Sequence, residues 1–449
     1  MPRRALSTVD IPESALVIGS GGREHAVFEK LLRDGINVLA IPGNGGMANN
    51  VSINITDFEL LASIARNSGA YTFVGPEIPL ADGIVDYFKK IGLGKKIFGP
   101  TKNAAEIEAS KAFAKALMRK YDIPTARSFV AASRTDVIYA VRKLQRQFVV
   151  KQDGLAGGKG VIIPEKSTEG IRIAAELVRS GKKIIIEEFL HGRELSYFVF
   201  TDGKDFVPLL PACDYKYSND GNIGQMTGGM GSYAPVSWLP AEMEGKIQEK
   251  VIVRAIEGMA KEGRPFKGLL YAGLMIVDSQ PYVLEFNCRF GDPETQSILA
   301  LMESPLLPYM MASSRGGMKN MPRIKWKKGA SVTVVMASGG YPGAHKTKIP
   351  IYGLDAAGSD NINIYHAGTF RSDGVVYTSG GRVLNVVATG ESLAEAKARA
   401  YDAVGKISWN GEFHRNDIGE QQEAPTEAAP WTTHIKPQII LRRREHFQP

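Results

Sequence analysis

Hydrophobic positions along the chain fall into short β-branched runs that alternate with stretches in helical spacing. Ala15–Gly19, Asn37–Ile41 and Ala70–Val74 are apolar runs, and each gives way to a glycine- or proline-containing loop, as strands of a buried parallel sheet do. Between the first two, Val27–Asp34 has the spacing of an amphipathic helix. A strand, a glycine turn and a helix open a doubly wound α/β domain. The pattern therefore predicts a parallel sheet whose loops meet at one edge.

The same pattern predicts a larger central region. Apolar spacing predicts helices over Lys102–Tyr121 and Glu242–Lys261. Leu269–Val277 and Tyr282–Phe286 read as a pair of strands joined by a tight polar turn. The intervening stretch Asp214–Tyr233 is polar and rich in glycine, so we expect a long loop there, of the kind that usually has a function.

A third α/β region and a polar tail complete the chain. Strands are predicted at Ser331–Ala337, Asn363–His366 and Arg382–Ala388, followed by a helix over Leu393–Ile407. From about residue 420 the composition becomes polar and proline-containing, which is typical of a flexible or loosely docked tail. We expect four parts: residues 1–103, residues 104–325 with an inserted lid at about 126–190, residues 326–419, and the tail 420–449.

Composition narrows the classes of function. The formal net charge of +8 comes from basic residues spread along the chain, so we expect no nucleic-acid partner and a surface suited to anionic small substrates. No apolar run approaches the ~18 residues of a membrane span, and no membrane association is expected. With only Cys213 and Cys288, the chain has no disulfide framework, and we expect a cytoplasmic protein.

The stretch Val149–Ile163 sets two β-branched runs around a loop with four glycines and two lysines. Glycines let backbone N–H groups converge into a nest that binds an anion, and Lys151 and Lys159 add charges suited to phosphate. The loop is not a Walker motif, because Gly160 follows Lys159 and a strand comes next. A glycine-rich hairpin with solvated lysines remains the alternative.

A second candidate anion site is Gly19–Ala26, between the first strand and the first helix. The free N–H groups of a helix N-terminus bind anions. Glu24 stands where a dinucleotide motif would have its third glycine, and Arg23 favours a terminal phosphate. We expect the first domain to bind a small phosphorylated ligand, and a purely structural turn remains the alternative.

Charged residues follow the strand that ends near Phe286. Glu285 and Asn287 lie two apart and so point to the same face of a strand. A carboxylate and an amide oxygen suit Mg²⁺, which takes few protein ligands and otherwise uses water and phosphate. Arg289, Asp292 and Glu294 follow closely. The sequence predicts a Mg²⁺ site here, and a plain charged turn remains the alternative.

Several of these stretches together resemble one family, the glycinamide ribonucleotide synthetases, which have the ATP-grasp fold. The resemblance spans about Ala15 to Gly419 and is most specific in Leu284–Thr295 and in the Thr-Gly-Gly-Met-Gly run of Thr227–Pro235. It implies an N-terminal doubly wound, Rossmann-like domain, central ATP-grasp domains and a small C-terminal α+β domain.

The resemblance also implies the reaction and its residues. ATP would phosphorylate glycine, and the amine of 5-phosphoribosylamine would attack the acyl phosphate, in purine biosynthesis, with Mg²⁺ or Mn²⁺ as cofactor and a monomeric enzyme. Glu285 and Asn287 would bind the metal, and Arg289 with Asp214 would act on glycine and the amine. The ribose phosphate would be bound by Gly21, Gly22, Arg23, Glu24, His25, Asn44 and Glu77. ATP would be bound by Lys111, Lys151, Gly154, Gly157, Gly158, Lys159, Gly160, Glu187, Glu188, Leu190 and Glu194.

The chain departs from the family pattern in a few places. Met226 replaces an asparagine, Gln152 stands where alanine is usual, and Tyr215 and Tyr217 flank Lys216 in place of histidine and arginine. The loop at residues 179–182 is shorter than usual. Two other hypotheses stay open: an ATP-grasp ligase with another acid or acceptor, and a nucleotide-binding module without catalysis.

Overall fold

The structure is a computed structural model that describes residues 11–155 and 160–420. These residues form two compact units. The smaller unit contains residues 126–153 and 161–191, and the larger unit contains the remaining described residues. Within the described ranges, no helix is both long enough and apolar enough to cross a membrane.

The larger unit begins with a four-stranded parallel sheet in the order β2-β1-β3-β4, as the apolar runs predicted. Its strands are β1 (Ser14–Gly19), β2 (Asn37–Pro42), β3 (Tyr71–Val74) and β4 (Ile97–Phe98). The helices that follow in this region are α1 (Gly22–Arg33), α2 (Phe58–Asn67), α3 (Glu77–Asp82), α4 (Ile84–Lys90), α5 (Lys102–Ala109) and α6 (Lys111–Lys120). The loops after β1, β2 and β3 lie at the carboxyl edge of the sheet, where α/β proteins bind ligands.

The smaller unit is an antiparallel sheet in the order β5-β8-β6-β7 with two helices. Its elements are β5 (Ser128–Ala131), α7 (Arg134–Leu144), β6 (Phe148–Gln152), β7 (Val161–Ile162), α8 (Ser167–Arg179) and β8 (Ile184–Glu188). It has its own apolar core, which Val141, Phe148 and Ile186 share. The short loop after α8 closes tightly through Gly181, whose φ of +79° suits glycine.

A second antiparallel sheet of the larger unit has the order β10-β9-β15-β16. Its strands are β9 (Arg193–Thr201), β10 (Phe206–Pro208), β15 (Gly268–Val277) and β16 (Gln280–Asn287). The helices around it are α9 (Ala241–Ile247) and α10 (Arg254–Lys261), joined by a π-helical segment (Gln248–Val253), then α11 (Glu294–Leu301) and α12 (Leu307–Arg315). The single helix predicted over Glu242–Lys261 is therefore confirmed, with a π-helical turn in its middle.

The third sheet combines the C-terminal strands with two strands from the centre of the chain, in the order β11-β14-β17-β21-β18, with β22 paired to β17. These strands are β11 (Cys213–Asp214), β14 (Gly231–Ala234), β17 (Ala330–Ser338), β18 (Ile362–His366), β21 (Arg382–Gly390) and β22 (Glu412–Phe413). Two hairpins and two helices accompany it: β12 (Tyr217–Asn219) with β13 (Ile223–Met226), β19 (Thr369–Ser372) with β20 (Val375–Thr378), α13 (Leu354–Ala357) and α14 (Leu393–Val404).

Two predictions of local structure are wrong. The helix predicted over Lys102–Tyr121 is interrupted at Ser110, whose extended backbone lets its hydroxyl cap α6 by accepting the Phe113 N–H. The loop predicted over Asp214–Tyr233 contains the β12–β13 hairpin and most of β14. Its glycines made it look irregular, but the hairpin and β14 satisfy much of its backbone by strand pairing.

Candidate active site

A β-bulge in β16 sets the direction of the predicted metal ligands. Glu285 pairs with Gly273 of β15, but the next pair is Val283 with Leu274, so Leu284 is an extra residue. Val283 and Phe286 consequently enter the same apolar core. Because side chains alternate along a strand, Glu285 and Asn287 share the opposite face. Gly273 leaves room there, since a Cβ on it would lie 3.4 Å from Cγ of Glu285.

Arg289 lies at the centre of an ionic network in which Glu108 is buried and Arg289 and Glu77 are half-buried. Its Nη2 donates to Oδ1 of Asn287 at 3.0 Å and lies 3.1 Å from Oε1 of Glu108, and its Nε is 3.5 Å from Oε2 of Glu77. Burial alone would lower the pKa of Arg289, but Glu108 and Glu77 outweigh it and raise that pKa. Burial would likewise raise the pKa of Glu77, yet Arg289 and Arg23 bring it below its ordinary value. Arg289 and Glu77 therefore hold each other in the ionised form.

A second cluster surrounds Asp214, the last residue of β11. The ammonium of Lys216 lies 3.0 Å from Oε2 of Glu194 and 3.9 Å from Oδ2 of Asp214. Burial, together with the charges of Glu294, Glu194 and Glu285, raises the pKa of Asp214 to about 8 despite Lys216. Burial would lower the pKa of Lys216, but Asp214 and Glu194 raise it well above its ordinary value. This region has more carboxylates than cations and would bind a cationic group.

Glu294, the first residue of α11, is fixed in this cluster by two hydroxyl groups. Its Oε1 accepts from Tyr271 at 2.8 Å and from Ser196 at 3.0 Å, and those two hydroxyls lie 2.9 Å apart. Gly291 provides space, because a Cβ there would lie 2.5 Å from Oε2 of Glu294. The carboxylate at the helix N-terminus also matches the helix dipole.

Lys111 contacts the start of the glycine loop, and the role of both in ATP binding stays a prediction. Lys111 begins α6, and its ammonium donates to the carbonyl of Gly154 at 2.9 Å. Gly154 has a φ of +99°, which favours glycine. Gly157, Gly158 and Lys159 lie outside the described residues. Gly160 directly precedes β7.

The smaller unit carries the other predicted ATP contacts. Lys151 on β6 forms an ion pair with Glu187 on the neighbouring β8, and both side chains are buried. Glu188 pairs with the exposed Arg146, and Leu190 is half-buried. Gln152, one of the departures from the family pattern, ends β6 and is half-buried. The strand ends thus present one buried ion pair and one exposed ion pair.

The N-terminus of α1 is partly occupied by carboxylates of the protein. The N–H of Gly21 donates to Oε2 of Glu24 at 2.7 Å, and a Cβ on Gly21 would lie 3.3 Å from Oδ2 of Asp292. Arg23 pairs with Glu24 and donates from Nη1 to the Phe290 carbonyl at 3.0 Å. Glu24 therefore has a capping role in the structure, and its predicted contact with a substrate stays a prediction.

Asn44 joins three loops. Its Nδ2 donates to the carbonyls of Ser20 at 2.9 Å and His366 at 2.8 Å, and its Oδ1 accepts the Gly46 N–H at 3.0 Å. His25 is buried beside it and accepts the His366 N–H on Nδ1 at 2.8 Å. Burial and His25 lower the pKa of His366 to about 3, so its ring is neutral at physiological pH. A role for Asn44 in substrate binding also stays a prediction.

The sequence analysis missed several side chains of these clusters: Glu108, Ser196, Lys216, Tyr271 and Arg382. Alternation along a strand could have placed Lys216 near Asp214, two residues away. Glu108 lies in a predicted helix, and nothing in the local pattern indicates that it faces Arg289. Arg382 contacts Asp292 across 90 positions of sequence, and no local pattern indicates such a contact.

Comparisons with known proteins show the family and the fold. Family models described as phosphoribosylglycinamide synthetase match the chain in three parts: the N domain over residues 13–108, the ATP-grasp (A) domain over residues 109–295, and the C domain over residues 331–421. Together they match more than half of the chain. The predicted fold class is confirmed.

Similar proteins with this architecture are known. The phosphoribosylamine–glycine ligase of a Nostoc species is 44% identical over 422 residues, which is 90% of this chain and 98% of the relative. That of Vibrio parahaemolyticus is 42% identical over 419 residues, 90% of this chain and 97% of the relative. The crystal structure of the Thermotoga maritima phosphoribosylamine–glycine ligase matches with a TM-score of 0.78 at 33% identity, covering 90% of this chain and 99% of that one. The chain belongs to the phosphoribosylglycinamide synthetase family.

Proposed function

We propose that the protein ligates glycine to 5-phosphoribosylamine at the expense of ATP, as a step of purine biosynthesis. The products are glycinamide ribonucleotide, ADP and phosphate, and glycyl phosphate is the intermediate. The observation that carries the proposal is the end of β16. In a chain related over 90% of its length to phosphoribosylamine–glycine ligases, Glu285, Asn287 and Arg289 lie together beside a buried carboxylate cluster.

The residues on β16 fit a divalent cation. Glu285 offers a carboxylate, and Asn287 offers an amide oxygen with a second lone pair beyond its bond from Arg289. Nδ2 of Asn287 is buried and has no partner among the described residues, so it could donate to an acceptor on a bound group, such as a phosphate oxygen beside the metal. The structure describes no cluster of three histidine, cysteine, aspartate or glutamate side chains suited to a metal. Such a sparse protein contribution suits Mg²⁺ or Mn²⁺, which when bound would neutralise phosphate charge.

Glycine requires a cation for its carboxylate and an anion for its ammonium group. Arg289 is the half-buried cation beside Asn287, and Asp214 lies in the region with excess carboxylate. An ammonium group beside Asp214 would compensate the neighbouring carboxylates and return the side chain to its ionised form. We therefore assign the ammonium group to Asp214 and the developing acyl phosphate to Arg289, which stabilises negative charge at a fixed position.

The phosphate of phosphoribosylamine is assigned to the N-terminus of α1. Arg23 supplies the positive charge, and the first helical N–H groups, at Gly22 and Arg23, have no partner within the helix. His25, Asn44 and Glu77 shape the surrounding loops. Glu24 contributes by fixing Gly21 and Arg23, since its carboxylate bonds to both.

The remaining assignments follow the family pattern. We propose that Lys111, Lys151 and Gly154–Gly160 contact the ATP phosphates, that Glu187, Glu188 and Leu190 contact adenine, and that Glu194 contacts the ribose. We also propose the domain limits given above, a monomeric enzyme and a cytoplasmic location. The last is supported by two buried, free cysteines, Cys213 and Cys288, as expected in a reducing compartment.

The decisive experiment measures ADP release and product formation with ATP, glycine and freshly prepared phosphoribosylamine. We expect turnover that requires both substrates. Turnover no higher than in a control without glycine would disprove the proposal. Turnover with another amino acid or amine in place of these would favour a related ligase, and ATP binding without turnover would favour a module that has lost catalysis.

A further inference from the structure

Arg382, the first residue of β21, reaches from the C-terminal sheet to two glycine-rich segments of the active site. Its Nη1 donates to the carbonyls of Gly228 and Asp292, each at 2.7 Å, and lies 3.4 Å from the carbonyl of Gly229. Its Nη2 lies 3.2 Å from Oδ2 of Asp292. One guanidinium thus fixes the backbone of two segments that lie far apart in sequence.

The first segment, Thr227–Met230, uses its N–H groups within the protein. Gly228 donates to the Tyr341 hydroxyl at 3.0 Å, and Gly229 donates to the Thr227 hydroxyl at 3.0 Å. Gly229 also needs to be glycine, because its φ is +111° and a Cβ would lie 2.5 Å from Cδ of Pro293. The segment is therefore a rigid support for the loop at Asp292–Pro293.

The second segment, Arg289–Asp292, is held by three arginines. The Phe290 carbonyl accepts from Arg23 at 3.0 Å and from Arg289 itself at 3.2 Å, and the Asp292 carbonyl accepts from Arg382. This segment carries the guanidinium that we assign to the acyl phosphate. Its position depends on Arg382 at its far end.

The side chain of Asp292 completes this link. Its Oδ1 accepts from Gln296 at 2.7 Å, and its Oδ2 faces Arg382. Burial alone would raise the pKa of Asp292, but Arg382 and Arg23 lower it below its ordinary value. An ionised Asp292 keeps the guanidinium fork in a fixed orientation, since planar Arg–carboxylate contacts restrict geometry.

We infer that Arg382 is a positioning residue for the ligation. It acts through Asp292 and through the loop Thr227–Met230 to keep Arg289 aligned with the acyl phosphate, and it does not touch the reacting atoms. This inference rests on the proposed function. It gives the C-terminal region an indirect part in the chemistry, because a misplacement of about 1 Å can reduce a rate about a hundredfold.

The test compares Arg382→Met and Arg382→Lys with wild-type enzyme. Each kcat is expressed per ATP-binding molecule, and the ratio of ADP released to product formed is measured with it. We expect Arg382→Met to lower kcat about a hundredfold. We also expect the ADP-to-product ratio to rise above one, because a misaligned acyl phosphate is lost to water. For Arg382→Lys we expect values between those of wild-type enzyme and Arg382→Met, since lysine keeps the charge without the planar guanidinium fork.

The outcomes separate the inference from a merely structural role. Loss of folded enzyme lowers ADP and product together and leaves kcat per ATP-binding molecule unchanged. A change in either kcat or the ADP-to-product ratio supports the inference. If Arg382→Met changes neither while wild-type enzyme makes product, the inference is wrong. If wild-type enzyme makes no product, the proposed function itself has failed.

Two further variants keep the test decisive. Arg399→Met removes an arginine of α14 that pairs with Glu395 and donates to the Thr389 carbonyl, at the other end of β21 from Arg382. Because it contacts neither Gly228 nor Asp292, this variant should match wild-type enzyme in both measurements. If Arg382→Met does not fold, Tyr341→Phe removes the hydroxyl that accepts the Gly228 N–H. We expect about a tenfold loss of kcat from that change, and an unchanged kcat would then overturn the inference.

Discussion

The guanidinium of Arg289 donates to Oδ1 of Asn287 across 3.0 Å, so the residue assigned to the acyl phosphate directly orients a residue assigned to the metal. Both side chains follow the bulge in β16. The same guanidinium faces Glu108 and Glu77 on its other sides. One side chain therefore couples the proposed metal ligand, the helix α5 and the start of α3.

Replacing Arg289 by lysine tests this coupling. Lysine keeps the charge, and a single ammonium group could still contact Asn287 and Glu108, as Nη2 does. It has no counterpart of Nε and Nη1, so it loses the contacts with Glu77 and with the Phe290 carbonyl. We expect kcat to fall about 10²- to 10³-fold, as for loss of one preorganised donor in an active site. Steady-state kinetics with all three substrates would measure it, with Arg172→Lys on the exposed face of α8 as control. A kcat within threefold of wild-type would remove Arg289 from the chemistry.

Replacing Glu285 by glutamine tests the metal site. The amide keeps the shape but loses the charge that attracts a divalent cation, so we expect no detectable turnover at millimolar Mg²⁺ with an unchanged fold. Circular dichroism and the thermal midpoint verify the fold, and a Mg²⁺ titration verifies the cause. Glu303→Gln, at an exposed glutamate, is the matched control. Near-normal activity of Glu285→Gln would place the metal elsewhere.

The sequence predicted the sheet, the strand ends and the charged run after β16 because each leaves a local pattern. The spacing of Glu285 and Asn287 predicted that both point to the same face of the strand. The bulge at Leu284, which lies between them and Val283, was not predicted. A bulge depends on how the partner strand is aligned, and that alignment has no signature within a single strand.

Contacts between distant segments could not be predicted from the sequence. Arg382 lies in a predicted strand of the C-terminal region, where it reads as a solvated end residue. Its three carbonyl acceptors depend on the third sheet recruiting β11 and β14 from the centre of the chain. Likewise, the family resemblance made Glu24 a predicted contact of the ribose phosphate. Only the folded structure reveals that its carboxylate accepts the Gly21 N–H and so caps its own helix.

Replacing Arg23 by alanine tests the phosphate site at α1. We expect the KM for phosphoribosylamine to rise about 10- to 100-fold with little change in kcat, because hydrogen bonds to a charged group contribute about 1.5–3 kcal/mol to binding. Arg119→Ala, at an exposed position of α6, is the control. A larger effect on the KM for ATP than on that for phosphoribosylamine would contradict the assignment.

Replacing Asp214 by asparagine should make the variant more stable relative to wild-type protein as pH rises. The pKa of Asp214 is raised from an ordinary value of 3.8 to about 8, so the folded state retains a proton that the unfolded state has lost between those values. Its contribution to stability therefore decreases as pH rises through this window. Asparagine does not titrate. The loss of the contact with Lys216 adds an offset but no slope.

The measurement is the free energy of unfolding of Asp214→Asn and wild-type protein at pH 5 and pH 8. The free energy of unfolding of the variant minus that of wild-type protein should be larger at pH 8 than at pH 5. The same difference for Asp360→Asn, at an exposed aspartate, should be equal at the two pH values. An equal difference at both pH values would mean that Asp214 is already ionised in the folded, ligand-free protein.

Two glycine-to-alanine changes separate close packing from helix propensity. A Cβ on Gly22, the first residue of α1, would lie 2.1 Å from Nδ2 of Asn385 and 2.7 Å from Nε2 of Gln296. Both side chains are buried, so α1 would have to shift away from α11 and β21. We expect Gly22→Ala to lower the free energy of unfolding by about 1–3 kcal/mol.

Gly245 is the matched control because it lies inside α9 with no atom within 4 Å of its would-be Cβ. Gly245→Ala should raise the free energy of unfolding by about 0.5–1 kcal/mol, since alanine restricts the unfolded chain and favours helix. If the neighbours of Gly22 leave no room for a Cβ, urea unfolding will show changes in the free energy of unfolding of opposite sign for the two variants. If both variants are stabilised, Asn385 and Gln296 move aside easily, and the tight junction between α1 and the C-terminal sheet does not constrain the phosphate site.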